Sequence, residues 1–348
     1  MCRWFAFVSH NPVLLEDVLI DPKHAITKQV HDHYLPGLLH NNPDETVEQK
    51  AAAEKDLALR NLMFNIDGFG VAWYTHTRAQ FEPDFTQGPR PAMYKTVAPA
   101  LTDPTFTYIC GNTASSCILA HIRAASAPPV VQTNNHPFIF GRHSFMHNGS
   151  VSNFRSIRQE LSRRISRENL GLIQGNSDTE HVAALYFTHL GDTAATHPIE
   201  HMRDALARTI KDVQDAQAAV LTPDELKTSA NSLNLCTTDG EQMIAVRWRN
   251  SETEQPPSLY ASTTAGVVLN RKHPGASNEG PDSPQELLAK LGSARELAQE
   301  RNAHGLHLIV ASEPTTFDAR DWKLLDKNDC IMVDKNMRLT VDALRLPA

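Results

Sequence analysis

The second residue of this 348-residue chain is a cysteine, and removal of Met1 would leave a thiol and a free α-amine on that one residue. The reference pKa of the amine is about 7.7–8.0 and that of the thiol about 8.5, so near neutral pH the amine takes the thiol's proton, directly or through a water. Cys2 then combines nucleophile and base and needs no separate histidine. Thiolate attack on an amide develops an oxyanion, which backbone N–H groups and carboxamides stabilise. Asn148-Gly149 offers both at the end of a strand-like segment, although the same dipeptide is an ordinary turn former. A substrate with an amino-acid head needs a cation for its carboxylate and an anion for its ammonium. Arg123 can supply a bidentate fork. Asp178, in the first turn of an expected helix, can meet the ammonium, at a place that acids also favour for helix-dipole reasons.

These residues need elements to hold them. Residues 2–8 (CRWFAFV) read as a strand that carries Cys2. Strands follow at 69–74, 92–97 and 117–122, the last ending just before Arg123. Residues 138–149 form a hairpin turning at Gly141-Arg142, with Asn148 near its end. Phe154, Ile157, Leu161 and Ile165 keep the spacing of one helical face. Ser177-x-x-Glu180 is a capping-box pattern that opens a second helix running to Leu190 and places Asp178 in its first turn. A third helix spans Glu200–Gln217, and a helical run covers Thr46–Leu62. Strands return at 233–238, 242–248, 258–263, 306–312, 330–333 and 338–341. This order predicts one α+β domain over residues 2–348, with surface insertions at about 41–62 and 271–303.

Composition narrows the function classes. Lys and Arg total 33 against 40 Asp and Glu, a formal charge of −7, so nothing in the electrostatics favours nucleic acid or an anionic membrane as partner. No apolar run approaches the ~20 residues of a membrane-spanning helix, and Trp4–Val8 is too short for a secretory leader, so a cytoplasmic location is expected. The five cysteines are an odd number without a CxxC spacing, which suits a reducing compartment; Cys110, Cys117, Cys236 and Cys330 read as buried small hydrophobes. His24, His31, His33 and His40 fit no compact zinc pattern, so no metal is expected. Neither GxxxxGK[ST] nor GxGxxG occurs, so no nucleotide or other cofactor is expected. His136 and His147 flank the expected site as supports for the oxyanion loop, and His121 shares a strand face with Arg123. Asp67 either shapes the wall near Cys2 or is a turn acid. Trp4, Trp73, Trp248 and Trp322 read as core.

Taken in order, MCRW at the start, DGFGVAWY (67–74), AHIRAAS (120–126), NNHPF (134–138), FMHNGSVSN (145–153) and GNSDTE (175–180) resemble the class II glutamine amidotransferases, N-terminal-nucleophile hydrolases whose first mature residue is cysteine. The resemblance implies a four-layer αββα sandwich. It also implies Cys2 as nucleophile, Arg123 on the substrate α-carboxylate, Asp178 on the α-ammonium, and Asn148 with Gly149 as the oxyanion hole. Ammonia-channelling members carry an aromatic residue directly after the arginine, where this chain has Ala124. ASEP (311–314) and Trp322 look like a stand-alone branch without a synthase domain. Within it, HAITKQ (24–29) and DGFGVAWY look closer to the fungal DUG-type subunit of glutathione degradation than to the bacterial γ-glutamyl hydrolase of ergothioneine synthesis. The implied activity is hydrolysis of γ-glutamyl amides, with glutamine or glutathione as substrate and room for a peptidase-type partner subunit. The readings that compete with it are hydrolysis of an ergothioneine precursor and a non-catalytic scaffold of the same fold.

Overall fold

The computed structural model describes residues 2–30, 46, 67–81, 88–124, 129–271, 305–316 and 318–347. Both expected insertions, about 41–62 and 271–303, and the helical run expected at Thr46–Leu62, lie outside the described residues except for Thr46 and Arg271.

The chain begins with β1 (Arg3–Leu14), followed by β2 (Phe69–Thr75), β3 (Arg90–Thr96) and β4 (Ala114–Ile122). The hairpin β5 (Phe138–Phe140) and β6 (His143–Ser150) turns at Gly141-Arg142, as its sequence suggests. After the helical segment come β7 (Ser232–Thr238), β8 (Met243–Arg249) and β9 (Tyr260–Ser262). The last strands are β10 (His307–Ala311), β11 (Lys323–Leu324), β12 (Asp329–Val333) and β13 (Leu339–Ala343). They form a seven-stranded sheet in the order β11-β9-β10-β1-β4-β2-β3 and a six-stranded sheet in the order β13-β12-β8-β7-β6-β5.

The two-residue period of a strand explains the layering. In β1, Trp4, Ala6 and Val8 face one way and join a core with Cys117 and Leu119 of β4. Met146, Cys236, Met243 and Ala245 of the six-stranded sheet complete that core, so it lies between the sheets. Phe5 and Phe7 face the other way and pack with α1 (Leu15–Leu19) and α2 (Pro104–Asn112). The outer face of the six-stranded sheet is covered by α3 (Phe154–Arg164), α5 (Asp178–Leu190) and α6 (Ile199–Val220), while the short α4 (Arg167–Gly171), between α3 and α5 in the chain, donates from Asn169 Nδ2 to Thr188 Oγ1 of α5 at 3.3 Å. The result is helix, sheet, sheet, helix: the αββα sandwich that the sequence motifs imply. Among the described residues, no helix is long and apolar enough to cross a membrane.

Three local differences from the sequence reading have physical causes. Strand β1 runs on to Leu14, past the expected end at residue 8, because an irregularity between Val8 and Val13 lets pairing with β4 resume. Helix α2 was not expected, yet Asp103 caps it by accepting from Phe106 N–H at 3.2 Å, and Pro104 occupies its first turn. The capping box at Ser177 is half formed. Ser177 Oγ accepts from Glu180 N–H at 3.2 Å, but the Glu180 carboxylate accepts from Gln174 and Gly175 N–H at 2.9 and 2.7 Å instead of reaching back to the cap. Two backbone donors offer that carboxylate more than one would. Glu180 thereby fastens the loop leading into α5.

Candidate active site

The β1–β4 register pairs Arg3 with Ile122 and runs on to bring Cys2 beside Arg123 and Ala124. Cys2 Sγ accepts from Ala124 N–H at 3.2 Å and lies 3.4 Å from the Ala124 carbonyl, to which its S–H donates. Among the described residues the sulfur bonds to nothing else, and no histidine reaches it. Burial pushes the Cys2 thiol above its ordinary value; the Ala124 N–H and the Arg123 charge pull it back, and the Asp178 charge pushes it up again. Both charges therefore act on the sulfur. With its pKa raised, the thiol is almost wholly protonated at pH 7, and a base is needed to activate it.

Backbone bonds fix Arg123 where β4 ends. Its N–H donates to the Gly68 carbonyl at 2.8 Å, and its own carbonyl accepts from Asp67 N–H at 3.2 Å, which continues the β2–β4 ladder past the strand. Arg123 is 9% exposed, and its Nη1 and Nη2 both point at the Pro129 carbonyl at 3.5 Å. That is the outer limit of a hydrogen bond. Among the described residues no carboxylate is bonded to this fork, so its donors are available to a ligand. Burial lowers the Arg123 pKa, against the fields of Cys2, Asp67 and Asp178, which raise it. Asn134 steadies the same wall, donating to the Pro129 carbonyl at 3.3 Å and to Asn176 Oδ1 at 2.9 Å.

Asn148 and Gly149 close β6 against β7, opposite Asn234 and Leu233. Asn148 is buried and Gly149 is exposed. Gly149 has φ 143°, a conformation that side chains rarely adopt, and a Cβ there would stand 1.9 Å from the Ser232 carbonyl oxygen. Next to it, His147 Nε2–H donates to the Ser232 carbonyl at 2.9 Å while Nδ1 faces Thr179 Oγ1 at 2.9 Å. Burial lowers the His147 pKa, so the ring is neutral and Nδ1 accepts from the threonine hydroxyl. His147 is thus a strut between β7 and α5. Behind it, burial holds His121 down to about 3 and keeps His136 neutral too, their rings 4.0 Å apart.

Asp178 is tied to the same loop. Its Oδ2 accepts from Val151 N–H at 2.9 Å and its Oδ1 from Thr179 N–H at 2.8 Å. Two further bonds couple this loop to the Cys2 strand: Ser312 Oγ accepts from Trp4 N–H at 3.0 Å and from Asn148 Nδ2 at 3.4 Å. The Trp4 indole adds a third, donating across the sheets to the Asn234 carbonyl at 3.3 Å. The five candidate residues thus stand in one connected neighbourhood: Cys2 touches the residue after Arg123, Trp4 reaches Asn148 through Ser312, and Val151 meets Asp178. Sequence reasoning missed Ser312, Thr179 and the backbone of Ala124. The alternation of β10 carried a signal for Ser312: Ala311 packs outward, so the next side chain turns toward the cleft.

The four remaining described cysteines, Cys110, Cys117, Cys236 and Cys330, are buried and free, as expected of small apolar residues. Trp4, Trp248 and Trp322 are buried, whereas Trp73 is half-buried at the outer face of β2. Of the histidines weighed for a metal, His24 is buried and its carbonyl accepts from Gln29, while His31, His33 and His40 lie outside the described residues.

Comparison with known proteins agrees with the fold. The probable glutamine amidotransferase DUG3 of Saccharomyces cerevisiae is 29% identical over 344 residues, which cover 96% of this chain and 82% of that protein. A glutamine aminotransferase class-II domain protein from Silicibacter pomeroyi superposes with a TM-score of 0.55 at 19% identity, covering 99% of this chain and 100% of the other. The glutamine phosphoribosylpyrophosphate amidotransferase of B. subtilis gives a TM-score of 0.48 at 12% identity, over 99% of this chain and 50% of that one. The sequence pattern of the class-II glutamine amidotransferases matches residues 58–250, more than half of the 348, and takes in the segments that carry Arg123, Asn148 and Asp178; the chain belongs to that family.

Proposed function

We propose that the chain hydrolyses γ-glutamyl amides through a thioester on Cys2, formed after Met1 is removed. The α-amine of Cys2 takes the thiol proton, and the thiolate attacks the γ-carbonyl carbon. Asn148 and the Gly149 N–H receive the oxyanion. Collapse of the tetrahedral intermediate breaks the C–N bond, and the α-ammonium returns its proton to the departing amine. Water, deprotonated by the same amine, then attacks the thioester and releases glutamate with the thiol restored. Arg123 holds the substrate α-carboxylate and Asp178 its α-ammonium. The observation that carries this reading is the contact of Cys2 Sγ with Ala124, which sets the sulfur beside Arg123 with the charges of Arg123 and Asp178 both bearing on it.

Two charged groups read the glutamate head, so selectivity lies there and the leaving group is less constrained. The motif resemblance points to glutathione, with cysteinylglycine leaving and a partner subunit taking part in its degradation. Glutamate release from glutamine, glutathione, other γ-glutamyl peptides and a sulfur-linked ergothioneine precursor tests this, with the intact mass of the chain read in parallel. The expected result is a chain lacking Met1 that turns over γ-glutamyl amides, glutathione best. Retained Met1 with no turnover of any substrate would overturn the reading in favour of a scaffold, and preference for the ergothioneine precursor would reassign the leaving group. On the same panel, Arg123→Lys is expected to raise KM about 10- to 100-fold with a smaller change in kcat, because a point ammonium cannot reproduce two parallel N–H bonds to a carboxylate. An unchanged KM would remove Arg123 from the binding of the head.

A further inference from the structure

We infer that Ser312 is the positioning residue that aims the Asn148 carboxamide into the cleft; the inference rests on the amidohydrolase reading above. A carboxamide turns freely about its last side-chain bond, so an asparagine in an oxyanion hole needs a neighbour that fixes which edge faces the substrate. Ser312 is that neighbour. It is 2% exposed and follows directly on β10. Its backbone N–H donates to the Trp4 carbonyl at 2.9 Å, and its Oγ accepts from Trp4 N–H at 3.0 Å. Both polar backbone groups of Trp4, two residues from Cys2, are therefore held by this one serine. The same Oγ then meets the Asn148 carboxamide at 3.4 Å. The hydroxyl thus connects the strand of the nucleophile to the side chain that receives the oxyanion.

Its donor and acceptor count adds a second point. With Trp4 N–H on its lone pair, the hydroxyl still has a proton, and among the described residues that proton meets no acceptor while Asn148 presents its Nδ2. A half-turn of the carboxamide exchanges two groups of nearly equal size. Ser312 O–H then donates to Oδ1, and both N–H groups of Asn148 are released toward the cleft beside Gly149. In either orientation the hydroxyl is the group that holds the carboxamide. An alanine can do neither job, whereas a threonine keeps both.

The test compares the wild-type chain with Ser312→Ala and Ser312→Thr. For each, kcat and KM for a γ-glutamyl amide are measured, along with inhibition by glutamate γ-semialdehyde, which forms a tetrahedral adduct with the thiol, and by glutamate, which forms none. Ser312→Ala is expected to lower kcat about 10- to 100-fold with KM within about twofold, because one oriented donor is weakened without loss of the head contacts. Semialdehyde affinity falls by a similar factor, glutamate affinity does not change, and Ser312→Thr restores both parameters. Wild-type kcat in the alanine variant, or a loss confined to KM, overturns the inference and leaves the amidohydrolase reading standing. A wild-type chain without turnover overturns both. If the alanine variant does not fold, Ser312→Cys decides: a weaker donor of similar size predicts an intermediate kcat, and wild-type kcat there overturns the assignment.

Discussion

Cys2→Ala, with its initiator methionine removed, is expected to lose at least ~10⁴-fold in kcat while unfolding at the wild-type temperature. Removing an acyl-transfer nucleophile leaves only the acceleration that binding and oxyanion donors provide on their own. Stability should survive because residue 2 as a whole is only half-buried and the described bonds of its sulfur run only to the backbone of Ala124. The head-binding groups are untouched, so the variant should still bind substrate, and calorimetry should return an affinity near that of the wild type. A glutamine-like chloroketone separates this thiol from the rest. It should label the wild-type chain once and the variant not at all, since burial pushes Cys117 and Cys330 up to about 12 and Cys110 and Cys236 up as well, leaving those thiols inert. Turnover by the variant within 100-fold of wild type would take the reaction away from Cys2.

The layered fold was largely legible from the order of strands, helices and strands and from strands that are apolar on both faces. Phe5 and Phe7 against Trp4, Ala6 and Val8 already describe a strand buried on both faces, which requires material on either side of it. Helix α2 escaped because its sequence, PTFTYICGN, is rich in β-branched and aromatic residues; the cap at Asp103 and the proline after it outweigh that propensity. At the site, the residues with distinctive chemistry could be named in advance: a thiol at position 2, a lone arginine after a strand, and an acid at a helix start. What could not be read was the set of contacts made by ordinary groups. Ser312, Thr179 and the peptide of Ala124 act through hydrogen bonds that exist only once distant strands are paired, and nothing in residue type marks them. The double role of Glu180 is a further case: a capping pattern in the sequence gave way in the fold to two loop N–H groups that hold its carboxylate more strongly.

Gly149→Ala is the second change with a large expected effect, and it acts on stability and turnover together. A Cβ at this position would meet the Ser232 carbonyl oxygen at 1.9 Å, its carbon at 2.7 Å and His147 Nε2 at 2.9 Å. The nearest of these is backbone of the central strand β7, paired on both sides, and cannot yield as a side chain would. The backbone of residue 149 must move instead, and at φ 143° an alanine is strained even with space. Strain of ~1–3 kcal/mol and overpacking of similar size combine to a loss on the order of 2–6 kcal/mol. The shift also drags the His147 ring, two residues back on the same strand, off the Ser232 carbonyl, turns the 149 N–H from the oxyanion position, and disturbs the Val151 N–H that binds Asp178. Turnover of whatever remains folded should therefore fall ~10²–10³-fold, with KM rising as Asp178 loses its anchor. Thermal unfolding and steady-state kinetics at a temperature where the variant is still folded separate the two effects. Ser150→Ala, at the exposed next residue, serves as the control that should change neither. Native stability with native kcat in Gly149→Ala would mean that the close approach to Ser232 is not required, and the oxyanion would have to be sought elsewhere along the cleft.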